Sequence, residues 1–143
     1  MIAVDTNVLL RYLLGDDPDQ SVMAERLITG SQTVLVTDVV LVEMVWTLRG
    51  KKYQLKKADL VAVIHALFQE PNIRFEDGPV VWMALNDYRK TKSVKGREAD
   101  FADALIINKA RSVAGMLNSS FGGSYTFDVA AQSLPGAEVP KKS

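Results

Sequence analysis

The chain has no cysteine and a single histidine, His65. The first absence excludes disulfides and thiolate metal sites, and it fits a reducing cytosol. The second makes a histidine-rich zinc site an unsuitable reading. No apolar run approaches the roughly 20 residues that span a bilayer. The N-terminus lacks the basic segment, apolar stretch and small-residue cleavage site of a secretory signal. A cytoplasmic location without a membrane is therefore expected. There is also no excess of one charge, because 17 Lys and Arg balance 17 Asp and Glu. A basic coat over the whole surface, as on many nucleic-acid-binding proteins, is excluded. Internal repeats and low-complexity linkers are absent as well.

What is present is globular in composition. At 143 residues, 48% apolar and 24% charged, the chain is long enough for one domain with a real core. Residues 1–139 are expected to form that domain and residues 140–143 a tail. Charge is local: Arg89, Lys90, Lys92, Lys95 and Arg97 cluster, as do Lys51, Lys52, Lys56 and Lys57. Each cluster reads either as a solvated loop or as a rim that tracks phosphates around an acidic site.

The opening Ile2-Ala3-Val4 lacks polar alternation, which predicts a strand covered on both faces. It ends on Asp5-Thr6-Asn7 and passes into an apolar helix that Gly15 breaks. Asp5 reads either as the N-cap of that helix or as a ligand holder beyond the carboxyl end of a strand. A second helix is expected over 18–28, capped by Asp17, with Pro18 in its first turn and Gly30 at its end. Residues 34–36 form the next β-type run. Asp38 is the expected N-cap of a helix over 39–48, apolar nearly all round and therefore buried, with Glu43 as the one charge inside it. A buried carboxylate needs a partner or a cation, and the plainer alternative is that Glu43 faces a gap to solvent or meets an arginine. An amphipathic helix follows over 58–69, with His65 beside its stripe in a structural role. A strand is expected over 73–75, a helix over 80–88, and an exposed basic loop over 89–97.

Asp100 and Asp103 lie three apart in the first turn of the next helix, which is expected to stop at Gly115. Asp100 suits an N-cap, whereas Asp103 is flanked by apolar residues on a helix that should be largely buried. A Ser/Gly-rich loop then leads to a short strand over 125–127, ended by Asp128, which repeats the pattern of Asp5. A helical turn over 129–132 and an edge strand over 137–139 complete the chain.

Strands that alternate with helices predict an α/β fold with a mostly parallel sheet and helices on both faces. The acids then gather at one edge of that sheet. Several carboxylates held close together raise one another's pKa, and a divalent cation resolves the conflict. Oxygen ligands alone indicate a hard ion, Mg²⁺ or Mn²⁺, and the chemistry suggested is phosphodiester hydrolysis by a metal-activated water.

In order and spacing, Asp5-Thr6-Asn7, Glu43, Asp100-Phe101-Ala102-Asp103 with Ala104-Leu105-Ile106, and Thr126-Phe127-Asp128 resemble the motifs of PIN-domain ribonucleases, in particular the VapC-type toxins of VapBC toxin–antitoxin pairs. The resemblance covers about residues 1 to 139. It implies a three-layer sandwich around a central five-stranded, mostly parallel sheet, Mg²⁺ or Mn²⁺, endonucleolytic cleavage of RNA, a homodimer, and inhibition by a small antitoxin protein. By position, Asp5, Glu43 and Asp103 match the family's main metal-site acids, Asp128 the more variable fourth, and Asp100 an additional acid in part of the family. Thr6 and Asn7 match supporting polar residues, and Thr126 belongs to the motif around Asp128. One departure is the segment from Gly115 to Asp128, which is longer than the family pattern.

Other readings compete with the ribonuclease. A PIN-like scaffold would bind RNA or protein without turnover, through apolar helices around Trp46 and residues 60–68. A haloacid-dehalogenase phosphatase would want a second aspartate two residues after Asp5, where Asn7 stands. A receiver domain would want an acidic pair, a central phosphoacceptor and a late lysine, a set the sequence does not show.

Overall fold

The computed structural model describes residues 1–142. The chain forms two compact units, Met1–Gly78 and Pro79–Ser143. It has the expected α/β, PIN-like architecture, with six α-helices among the described residues and strands that pair in parallel.

In the first unit, β1 (Ile2–Ala3), β2 (Val34–Val36) and β3 (Ile73–Phe75) form a three-stranded sheet in the order β1-β2-β3. The register pairs Ile2 with Val34 and Val34 with Ile73. Because all three strands run the same way, their carboxyl ends share one edge of the sheet. The chain leaves that edge at Asp5, at Thr37-Asp38 and at Glu76. The helices are α1 (Thr6–Leu14), α2 (Pro18–Ile28), α3 (Asp38–Arg49) and α4 (Lys57–Phe68).

Local chemistry sets these boundaries. Asp5 caps α1 by accepting the Val8 N–H at 3.0 Å, and Gly15, at φ 62, closes the helix in the left-handed region that glycine adopts without strain. Asp17 caps α2, with Pro18 at its first position, as the sequence indicates. The cap of α3 is Thr37 rather than Asp38: the Thr37 hydroxyl accepts the Val40 N–H, and the Asp38 N–H donates to Glu76 at the end of β3. The core joins Leu41, Met44, Val45 and Leu48 of α3 with Leu60, Ile64 and Leu67 of α4, all fully buried. Burial of each such large side chain is worth about 1.5–3 kcal/mol. Leu60, Ile64 and Leu67 of the α4 stripe therefore serve this core, while Val61 and Phe68 are half-buried and Phe68 meets Phe75 at 4.5 Å. β1 is an outer strand, and Ala3 is exposed, so this strand is not covered on both faces.

The second unit contains α5 (Gly78–Lys90, which crosses the boundary), α6 (Phe101–Met116), β4 (Ser124–Tyr125), a 3₁₀ turn at Ala131–Ser133 and β5 (Ala137–Glu138). β4 and β5 pair in parallel as a separate two-stranded sheet. The five expected strands are all found, with β4 displaced to Ser124–Tyr125 from the expected 125–127. Among the described residues they are hydrogen-bonded as three and two, not as one continuous sheet of five. Gly115 does not stop α6. The helix runs through it to Met116, and the left-handed residue beyond its end is Asn118, at φ 54. Asparagine tolerates that conformation better than most side chains do. Between α5 and α6 the basic segment forms a tight reversal. Val94 and Arg97 exchange backbone hydrogen bonds around Lys95 and Gly96, both at positive φ, which displays its cations to solvent.

Candidate functional site

The acids of the first unit gather at the start of α1. Asp5 is exposed, and its carboxylate is held by the α1 N-terminus through the Val8 N–H. Glu43, one and a half turns into α3, receives the Thr6 hydroxyl at 3.4 Å across 37 residues of sequence. Thr6 therefore links the end of β1 to α3 and sets the Glu43 carboxylate beside the Asp5 turn. Contrary to the burial expected of an apolar helix, Glu43 is exposed. It shares its face with Val39 and Trp46, which are also exposed, while the opposite face of α3 supplies the core. No buried charge needs compensation there.

Asp5 and Asn7 also line a cavity of about 290 Å³ between α1 and α2, completed by Val8, Arg11, Gln20, Met23, Ala24 and Leu27. Arg11 is committed to Asp16, whose carboxylate also accepts the Tyr53 hydroxyl at 3.2 Å. The hydrogen bond from Arg11 holds the Asp16 carboxyl below its ordinary value and raises the Arg11 guanidinium in turn. Asp16, in the turn after α1, thus ties Arg11 of that helix to Tyr53.

In the second unit Asp100 and Asp103 form a reciprocal cap on α6. Asp100 accepts the Ala102 N–H at 3.4 Å, and Asp103 Oδ2 accepts the Asp100 N–H at 3.0 Å. Both carboxylates are half-buried, fixed against the positive end of a helix dipole. Asp103 sits among buried Phe101, Ala102, Ala104 and Leu105, as the sequence pattern indicates. Asp128 is exposed. It accepts the Ala130 N–H at 2.9 Å and the Ala131 N–H at 3.4 Å, and its own N–H donates to the Thr126 hydroxyl at 3.0 Å. Thr126 thereby orients Asp128, while Thr126, Tyr125 and Asp103 line one small cleft of about 100 Å³ with Ile106. Tyr125 and Phe127, which read as members of an apolar strand, are strongly exposed.

The two units thus present Asp5 with Glu43, and Asp100 with Asp103 and Asp128. Among the described residues no group of three or more His, Cys, Asp or Glu side chains is placed to hold a metal ion. The donors are oxygen only, held in place by backbone N–H groups and hydroxyls. That set fits Mg²⁺, which keeps several of its waters and takes only one or two protein carboxylates. No helix is long and apolar enough to cross a membrane among the described residues.

The family model of the PIN domain matches residues 2–120. The matched stretch contains Asp5, Glu43, Asp100 and Asp103 and ends before Asp128. No curated protein matches the chain.

Proposed function

The chain belongs to the PIN domain family, whose members are typically nucleases, and on that footing we propose that it is a divalent-metal-dependent endoribonuclease. The observation that carries this reading is the pairing of Asp5 and Glu43 around Thr6, at the carboxyl edge of a parallel sheet and within the matched stretch. Asp103 is the acid we assign to the same chemistry from α6. Asp100 and Asp128 support it, and Asn7 and Thr126 assist their neighbouring acids.

Mg²⁺ or Mn²⁺, when bound, lowers the pKa of its water and offsets charge on a phosphate. The chain's own residues do the positioning. The Val8 N–H fixes the Asp5 carboxylate, and the Thr6 hydroxyl aims Glu43. The α6 cap fixes Asp103, and Thr126 with the Ala130 N–H fixes Asp128. Each acid is therefore held before substrate arrives, which spares reorganisation during the reaction.

We assign the protein the role of toxin in a toxin–antitoxin pair, acting on cytoplasmic RNA as a homodimer, silenced by a small antitoxin protein, with residues 1–139 as one functional PIN domain. Exposed Trp46 and Trp82 favour protein contacts of that kind. They equally favour the second reading, a scaffold that binds without turnover.

The test is cleavage of a mixed RNA substrate after any bound protein has been stripped away. We expect cleavage with Mg²⁺ or Mn²⁺, none in EDTA, and none from Asp5→Asn or Asp103→Asn with the fold intact by circular dichroism. Undiminished cleavage by both variants overturns the reading.

A further inference from the structure

We propose that Tyr125 and Phe127 form a two-ring clamp that takes one unstacked base of an RNA strand, next to Asp103 and Asp128. This rests on the nuclease reading above and deepens it by naming residues that grip the substrate's bases.

Tyr125 is 65% exposed and Phe127 82% exposed. Large rings so open to water need an explanation, and the backbone supplies one. The Thr126 N–H donates to the Glu138 carbonyl at 2.9 Å, which extends the β4–β5 pairing beyond Tyr125. Along such a segment alternate side chains project to the same side. Burial follows that alternation: Ser124 and Thr126 are half-buried and the two aromatics are exposed.

Same-side positions on an extended strand lie about 6.7 Å apart. Stacked bases repeat at about 3.4 Å along one strand. The backbone positions that carry the two rings are thus about twice a stacking distance apart, a spacing that matches one flat base. A helix about 10 Å across is too wide for such a spacing, whereas a planar base matches it.

The surroundings agree. Tyr125 shares its cleft with Asp103, and Phe127 adjoins Asp128 in sequence, so a base held here brings its phosphate to the acids assigned to cleavage. The second unit is cationic, with nine Lys and Arg against six Asp and Glu, while the first has eight against eleven. An anionic strand is drawn to the unit that carries the rings. Every base has a π-face, so a clamp of this kind grips RNA with little regard to sequence.

The experiment measures binding of a fluorescently labelled short single-stranded RNA, and of an abasic strand of equal length, by anisotropy with Mg²⁺ present. An Asp5→Asn background prevents turnover, and metal-dependent cleavage by the wild type is assayed separately. Tyr125→Ala and Phe127→Ala are each expected to weaken binding of the base-bearing strand on the order of tenfold. They leave the abasic strand unaffected, and Tyr125→Phe and Phe127→Trp bind as the parent does. Alanine variants that bind the base-bearing strand as tightly as the parent, while the wild type still cleaves, overturn the clamp and leave the nuclease standing. So does an equal loss on both strands, a parent that holds neither, or a change in oligomeric mass with RNA binding intact. A wild type that neither cleaves nor binds RNA removes the nuclease reading and the clamp together.

Discussion

Replacing Asp103 by asparagine separates two roles that one carboxylate carries. Asp103 Oδ2 accepts the Asp100 N–H at 3.0 Å and so closes the cap on α6. An asparagine carbonyl keeps that bond and gives up only the charge at the positive end of the helix, which costs about 0.5 kcal/mol. Alanine gives up both, at about 1.5 kcal/mol. For a chain of this size 1 kcal/mol moves the melting temperature by about 3–4 °C. Asp103→Asn should therefore melt about 2 °C below the wild type and Asp103→Ala about 5 °C below it. Both should lose RNA cleavage, since neither retains a charged oxygen ligand. Far-UV thermal melts paired with metal-dependent cleavage read the two effects from one sample. An asparagine variant that still cleaves refutes Asp103 as a site acid. One that melts as low as the alanine variant refutes the cap bond as the source of the stability.

Three further outcomes are expected. Thr6→Val removes the hydroxyl that aims Glu43 and should lower activity or metal affinity roughly 10- to 100-fold, with Thr6→Ser close to wild type; a valine variant at full activity refutes the link. Asp16 and Tyr12 should shape the two limbs of the stability–pH profile. Arg11 lowers the folded Asp16 value below 3.8, so its stabilisation is present above that value and lost as pH falls through the lower folded one. Burial, then the hydrogen bond to Glu70, pushes the Tyr12 phenol up from 10.0 to about 12, so its contribution is complete below 10.0 and lost as pH rises through about 12. Denaturant titrations should show Asp16→Asn flattening the acid limb and Tyr12→Phe the alkaline one. Gly136→Ala meets Arg111 Nη2 at 2.6 Å and Ile107 Cγ2 at 2.9 Å, at φ 91. It should cost about 2 kcal/mol in equilibrium unfolding, and a neutral result contradicts that close packing.

Much of this architecture was legible because it rests on local chemistry. Asp17-Pro18 states a helix start in two residues, and the apolar runs at 34–36 and 73–75 became strands with no shift in position. Asp5, Glu43, Asp100, Asp103 and Asp128 stood out because each interrupts or ends an apolar run. What failed was information held in three dimensions. Val39, Glu43 and Trp46 share one face of α3, and only the placement of α1 and α4 decides that this face looks outward. Thr37 and Asp38 are both good caps, and the choice was made by Glu76, which lies 38 residues beyond Asp38 and takes the Asp38 N–H. Gly115 carried a stop signal, but nothing in the fold required a positive φ there, and Asn118 took that role. Tyr125 and Phe127 have the composition of a buried strand, and pairing with β5 alone leaves them uncovered.

The register of the strands also sets an order of assembly. Ile2 meets Val34 across 32 residues and Val34 meets Ile73 across 39, so neither ladder has a local nucleus. Closing a loop of that length carries a length-dependent entropy cost of about 3 kcal/mol before the first inter-strand bond forms. The intervening helices are local and form sooner. Ser124 meets Ala137 across only 13 residues, a closure that encloses Asp128. A refolding chain therefore shapes the turn around Asp128 early and secures the β1–α1 junction that carries Asp5 among its last steps. An interrupted refolding experiment would find helical signal and a formed Asp128 turn ahead of RNA cleavage, with cleavage arriving only when β1 docks.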